Sequence, residues 1–128
     1  MRLETEKEDF IGATRTAVTD YVKAKYGTEP EFLWRKFPDF AVFRKKDNAK
    51  WYAVIMDVSR QKLGLDGQGK VDIIDVKCGY ETKEIFKNFK GFLPAYHMNK
   101  EKWITVLLDG TVDLRLLSDL IDESYDLA

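Results

Sequence analysis

Residues 40–58 read FAVFRKKDNAKWYAVIMDV, two runs of aromatic and β-branched residues around a polar connection carrying Arg44, Lys45, Lys46 and Lys50. Side chains of that kind fit a pleated surface, so Phe40–Phe43 and Trp51–Val58 are expected to pair as a hairpin with a basic tip. Strand alternation sorts the second run into Tyr52, Val54, Met56 and Val58 on one face and Trp51, Ala53, Ile55 and Asp57 on the other. Only the first set is uniformly apolar, and one sheet face is expected to pack on helices.

Upstream, Thr5-Glu6-Lys7-Glu8 has the spacing of a capping box, in which hydroxyl and carboxylate satisfy the free N–H groups of a helix start. Phe10, Ile11, Thr14, Ala17, Val18, Tyr21 and Val22 recur at the spacing of one helical stripe, with Gly27 and Pro30 as the stop. Downstream, Gly64–Gly69 is a loop and Val71–Cys78 a strand. The glycines of that loop do not make a phosphate cradle, because a cradle needs a helix N-terminus behind it and this loop leads into a strand. Thr82 is expected to cap a short helix carrying Ile85, Phe86 and Phe89, with Gly91 as its terminator. Phe92–Tyr96 and Trp103–Leu108 form a second hairpin across a partly basic turn. Asp109-Gly110 then turns the chain into a last amphipathic helix carrying Leu114, Leu117, Leu120 and Ile121, capped by Thr111 or Asp113. Short connections of this kind favour antiparallel pairing, and the order of elements predicts an α+β two-layer sandwich, an antiparallel sheet backed by helices.

The chain's 128 residues suit one domain, residues 1–128, and its apolar and charged content is that of a globular fold. One cysteine, Cys78, allows no internal disulfide, and the apolar runs are strand-sized. A cytoplasmic location, with no membrane role, is therefore expected. A net charge of −1 counts against a dedicated nucleic-acid binder. Its distribution counts the other way: Arg35, Lys36, Arg44, Lys45, Lys46 and Lys50 crowd one segment, and Asp113, Asp119, Asp122, Glu123 and Asp126 crowd the C-terminus.

Three stretches carry a resemblance to a known family. They are PEFLWRKFPDFAVFR at 30–44, continuing into KWYAVIM at 50–56; VDIIDVKC at 71–78; and PAYHMNK at 94–100 with Trp103, Leu108-Asp109-Gly110 and Ser124-Tyr125-Asp126-Leu127. Together they resemble the MmcQ/YjbR-like family. The resemblance implies a two-layer fold similar to the frataxin-like (CyaY-like) arrangement, and a DNA-binding role on a double-wing surface. Gly79-Tyr80 departs from the acidic residue and proline of that pattern, and the last helix lacks a proline near Asp113.

Cations at hairpin tips reach phosphates. The candidate nucleic-acid contacts are Arg44, Lys45, Lys46, Lys50 and Trp51 on one hairpin and His97, Asn99, Lys100 and Lys102 on the other. Lysines at turns also serve solubility and guard sheet edges. Trp34, Trp51 and Trp103 are expected to pack, as aromatics entering strands generally do. His97, the lone histidine, has no partner ligand or carboxylate in sequence, and Cys78 reads as a small core residue; no catalytic residue, metal site or cofactor is expected. The alternative function is a protein-interaction module docking through Asp119, Asp122, Glu123 and Asp126, with weak divalent-cation binding. DNA or another protein is thus the expected partner, and the oligomeric state is left open.

Overall fold

The computed structural model describes residues 10–128, so the capping box read at Thr5–Glu8 lies outside the described residues. The chain opens with a short strand, β1 (Gly12–Thr14), followed by helix α1 (Arg15–Tyr26). The helix therefore begins later than its apolar spacing suggested, and Phe10 and Ile11 are exposed rather than on its stripe. Two local features explain the late start. Thr14 Oγ1 accepts the N–H of Ala17 at 3.2 Å, making Thr14 the N-cap. Gly12 lies so close to β7 (Asp109–Asp113) that a Cβ there would stand 2.7 Å from Gly110 Cα, which holds the preceding segment extended. Gly27 ends α1 as expected, at φ 67°.

The principal sheet contains β2 (Ala41–Arg44), β3 (Trp51–Ser59), β4 (Lys70–Lys77), β5 (Phe92–Pro94) and β6 (Trp103–Leu107) in the order β2-β3-β4-β6-β5, all antiparallel. A 3-10 turn at Gln61–Leu63 leads into the glycine loop before β4. Helix α2 (Tyr80–Phe86) follows β4, and α3 (Leu114–Leu127) closes the chain. Thr82 lies inside α2 and does not cap it; Gly79 takes that position without a side-chain bond. Gly91 stands beyond the end of α2, in the turn before β5. Asp113 caps α3, accepting from Arg115 N at 3.1 Å. The α+β sandwich predicted from the element order is the fold observed. The addition is the small β1–β7 sheet, whose strands are three and five residues long. Among the described residues no helix is long and apolar enough to cross a membrane.

A bulge in β3 decides what each sheet face carries. Phe43 faces Ala53 but Arg44 faces Trp51, so Tyr52 is an extra residue opposite the β2 ladder. The bulge exchanges the faces of its neighbours. Tyr52 joins Ala41, Phe43, Ala53, Ile55, Ile74, Val76, Ile104 and Val106 against the helices, where Val18, Val22, Leu117 and Ile121 complete the main core. Trp51 joins Val42, Val54, Met56, Val58, Val71, Ile73 and Leu107 on the opposite face. The set read as uniformly apolar is thus not the one that meets the helices. That second face is covered by loops instead, with Trp34, Phe40, Leu63, Leu65 and Tyr96 packed on it.

Candidate nucleic-acid interface

Sheet order places the two tips. Strands β3 and β6 are each antiparallel to β4, so they run in the same direction. The turn before β3 and the turn before β6 therefore leave the sheet at one rim, flanking the end of β4, at a separation of roughly 10 Å from two strand spacings. Between them stands Lys77, the last residue of β4 and one that sequence reading passed over. Burial lowers the pKa of its ammonium group, and the like charges of Lys50 and Lys102 lower it further. Among the described residues none of these three lysines forms an ion pair.

Register turns this rim into a row. On the face away from the helices Arg44 opposes Trp51, and Lys77 opposes Trp103. The Arg44 guanidinium carbon lies 5.9 Å from the Trp51 ring centroid and Lys77 Nζ 5.5 Å from that of Trp103. Cations and indoles thus alternate across four strands. Trp103 is buried and packs as expected, whereas Trp51 is half-buried and open on one side.

That open side is an apolar cleft of about 260 Å³, walled by Trp34, Phe37, Phe40, Trp51 and His97, with Val54, Met56 and Met98 completing it. Trp34 meets Trp51 edge-on at 5.8 Å, and Phe37 stacks on Phe40 at 4.7 Å. His97 is exposed, at φ 63°, with its ring on that of Tyr96. One row behind Lys77, Asp75 is fully buried between Val54 and Thr105; Thr105 Oγ1 donates to its Oδ1, while Oδ2 has no partner among the described residues. Burial pushes its carboxyl up to about 7.

The remaining candidates lie apart from this row or make contacts of their own. Arg44 Nε donates to Glu31 at 3.1 Å. Lys45 Nζ sits 4.9 Å over the Tyr125 ring, and Lys46 Nζ is 2.8 Å from where a Cβ on Gly27 would stand. Both lysines therefore lie toward the helix side, where cations suit helix C-termini. Asn99 Oδ1 accepts from Glu101 N at 2.8 Å and builds its turn, and Lys100 Nζ donates to Ala95 O at 2.9 Å. The hairpin tips meet at one rim, but only Lys50 and Lys102, with Lys77, form the cationic cluster there.

The acidic helix is likewise engaged. Asp122 accepts from Tyr21, Tyr26 and Lys25 at 2.7–2.9 Å, and Glu123 accepts from Gly79 N and Thr82 Oγ1. Asn48 Nδ2 reaches Ala128 O at 3.2 Å, so the basic hairpin and the acidic helix end are neighbours, not opposite poles. No group of three or more His, Cys, Asp or Glu side chains placed for a metal ion occurs among the described residues. Cys78 lies in the main core, and burial raises its thiol pKa.

A two-layer α+β domain with a cation–indole row on the sheet face away from its helices is the class these features define. The YjbR family model matches residues 23–127, and the chain belongs to that family. It is 43% identical over 114 residues to the uncharacterized protein YyaQ of Bacillus subtilis (strain 168), covering 89% of this chain and 97% of that one. A crystal structure of a Pseudomonas syringae protein is similar at 46% identity and TM-score 0.85, covering 89% of this chain and 97% of the other. A crystal structure of a Deinococcus radiodurans protein shares the fold at 24% identity and TM-score 0.68, covering 90% of this chain and 78% of the other.

Proposed function

We propose that this chain is a non-enzymatic, cytoplasmic nucleic-acid-binding protein, holding phosphates on the rim formed by Lys50, Lys77 and Lys102. One observation carries the reading. Lys77 ends β4 while Lys50 and Lys102 immediately precede β3 and β6, so sheet order brings three lysines to one end of the sheet, with no carboxylate paired to them among the described residues. Like charges gathered in this way repel, and an anion relieves the repulsion. Phosphates spaced along a backbone suit a row of cations better than a single small anion does. The proposal is of binding: His97 has no carboxylate partner placed to orient it among the described hydrogen bonds, and the Cys78 thiol is buried and hard to ionise.

The test is the affinity for a fluorescein-labelled DNA duplex measured across salt concentration. Affinity is expected to fall linearly in log salt, with a slope near −0.9 per phosphate contact, about −2.7 for three. Binding of neither duplex nor single strand at low salt, or a salt-independent affinity, overturns the reading.

A further inference from the structure

We propose that the cleft beside Trp51 receives one unpaired nucleobase, so that the preferred ligand is single-stranded nucleic acid; this rests on the phosphate rim proposed above and names the form of its ligand. Trp51 belongs to both features. Its indole walls the cleft, and it stands in the row between Arg44 and Lys77. A base seated against Trp51 would therefore leave its own backbone phosphate at the cations.

The cleft's size and lining fit that occupant. At about 260 Å³ it is smaller than the roughly 300–1,000 Å³ of pockets that enclose drug-sized ligands. Its lining is largely aromatic, from Trp34, Phe37, Phe40, Trp51 and the imidazole of His97. Flat π faces accept any base by stacking, without reading its sequence. Phe37 is half exposed although it faces an apolar space, so an aromatic occupant would remove further apolar surface from water. A base-paired duplex cannot enter, because its bases are stacked on one another and a base reaches such a pocket only when unpaired or flipped. Lys50, next to Trp51 in sequence, and Lys77, on the neighbouring strand, complement a nucleotide's phosphate and would be left unmatched by an uncharged apolar peptide.

The experiment follows intrinsic tryptophan fluorescence and affinity at low salt, with an oligothymidylate strand and a duplex of equal length. The expected result is quenching by the single strand only, with an affinity at least about ten-fold above that for duplex. Phe37→Ala is expected to lower single-strand affinity by about ten-fold and leave duplex affinity unchanged. His97→Gly, which removes another lining side chain at a positive φ that glycine accepts, is expected to act in the same direction and serves if Phe37→Ala destabilises the fold. Equal, salt-dependent affinity for both forms without quenching overturns the base cleft and leaves the phosphate rim standing. Binding of neither form overturns both. A dimer in sedimentation that Phe37→Asp disperses, with no quenching by the strand, assigns the cleft to a second copy of this chain and also overturns the proposal.

Discussion

The hydroxyl of Ser124 donates to the carbonyl oxygen of Tyr52 at 2.6 Å, and its oxygen accepts the N–H of Lys77 at 2.8 Å. The bulge at Tyr52 ends the regular β3–β4 ladder at the Ala53–Val76 pair, and this serine from α3 serves the two backbone groups left beyond it. A helix on one side of the sheet thereby fixes the strand ends that present Trp51 and Lys77 on the other.

Ser124→Ala removes both bonds at a fully buried site. Each of the two orphaned backbone groups costs about 1–3 kcal/mol, so a loss on the order of 2–6 kcal/mol is expected. Urea unfolding should show a lower midpoint with an unchanged slope. A midpoint equal to that of the native chain would mean that water replaces the hydroxyl without penalty.

The rim separates from the rest of the basic residues by substitution. Lys50→Ser, Lys77→Ser and Lys102→Ser combined are expected to abolish duplex binding, with the melting temperature nearly unchanged, because relieved repulsion offsets the lost contact of Lys77 with Trp103. Lys45→Ser, Lys46→Ser and Lys100→Ser combined should retain most of the affinity, since those groups face the helices or their own turn. Loss of binding only in the second variant would move the interface to the helix side.

Asp122 ties α3 to α1. Burial works against its charged form, but hydrogen bonds from Lys25, Tyr26 and Tyr21 outweigh burial and hold its pKa below the ordinary value of 3.8. Stabilisation from this group is therefore present above pH 3.8 and is lost as pH falls through the lower folded value. Asp122→Asn is expected to cost roughly 1–3 kcal/mol at neutral pH and to flatten the loss of stability below pH 3.8. Melting temperatures at pH 7 and in strong acid check both parts.

Much of this was legible in the residues. The two hairpins, the helix ending at Gly27 and the α3 stripe follow from periods of two and 3.6 and from glycine at positive φ. The bulge was not legible, because WYAVIM alternates equally well in either register and only Arg44 facing Trp51 decides it. That one residue also hid the cation–indole row, since simple alternation groups Trp51 with Ala53 and Ile55, whose side chains meet the helices. Lys77 was readable in principle: the alternation of Val71–Cys78 sets it on the face opposite Val76, at the same strand end as Cys78. The cleft was not, because Phe37 and His97 are 60 positions apart and meet only through the loops that cover the second face.

Asp75 makes the last prediction, concerning pH. Its carboxyl is fully buried, held by Thr105 Oγ1, which in turn accepts Tyr96 N at 2.8 Å, and its Oδ2 has no partner among the described residues. Burial raises its pKa from 3.8 to about 7, against smaller downward effects of Thr105, the Tyr96 N–H and the Lys100 charge. Between those two values the folded chain keeps a proton that the unfolded chain has released, so stability falls as pH rises across that window and levels off above it. A shift of about three pH units corresponds to about 4 kcal/mol. Asp75→Asn carries no charge at any pH, and its amide nitrogen inherits the unpartnered position at a smaller cost, about 1–3 kcal/mol. Urea midpoints at pH 4.5, 6 and 8 are therefore expected to fall for the native chain relative to the variant, leaving the variant the more stable at pH 8. Parallel pH profiles for the two proteins would show that this carboxyl ionises in the fold at its ordinary pKa, with water or a cation reaching Oδ2.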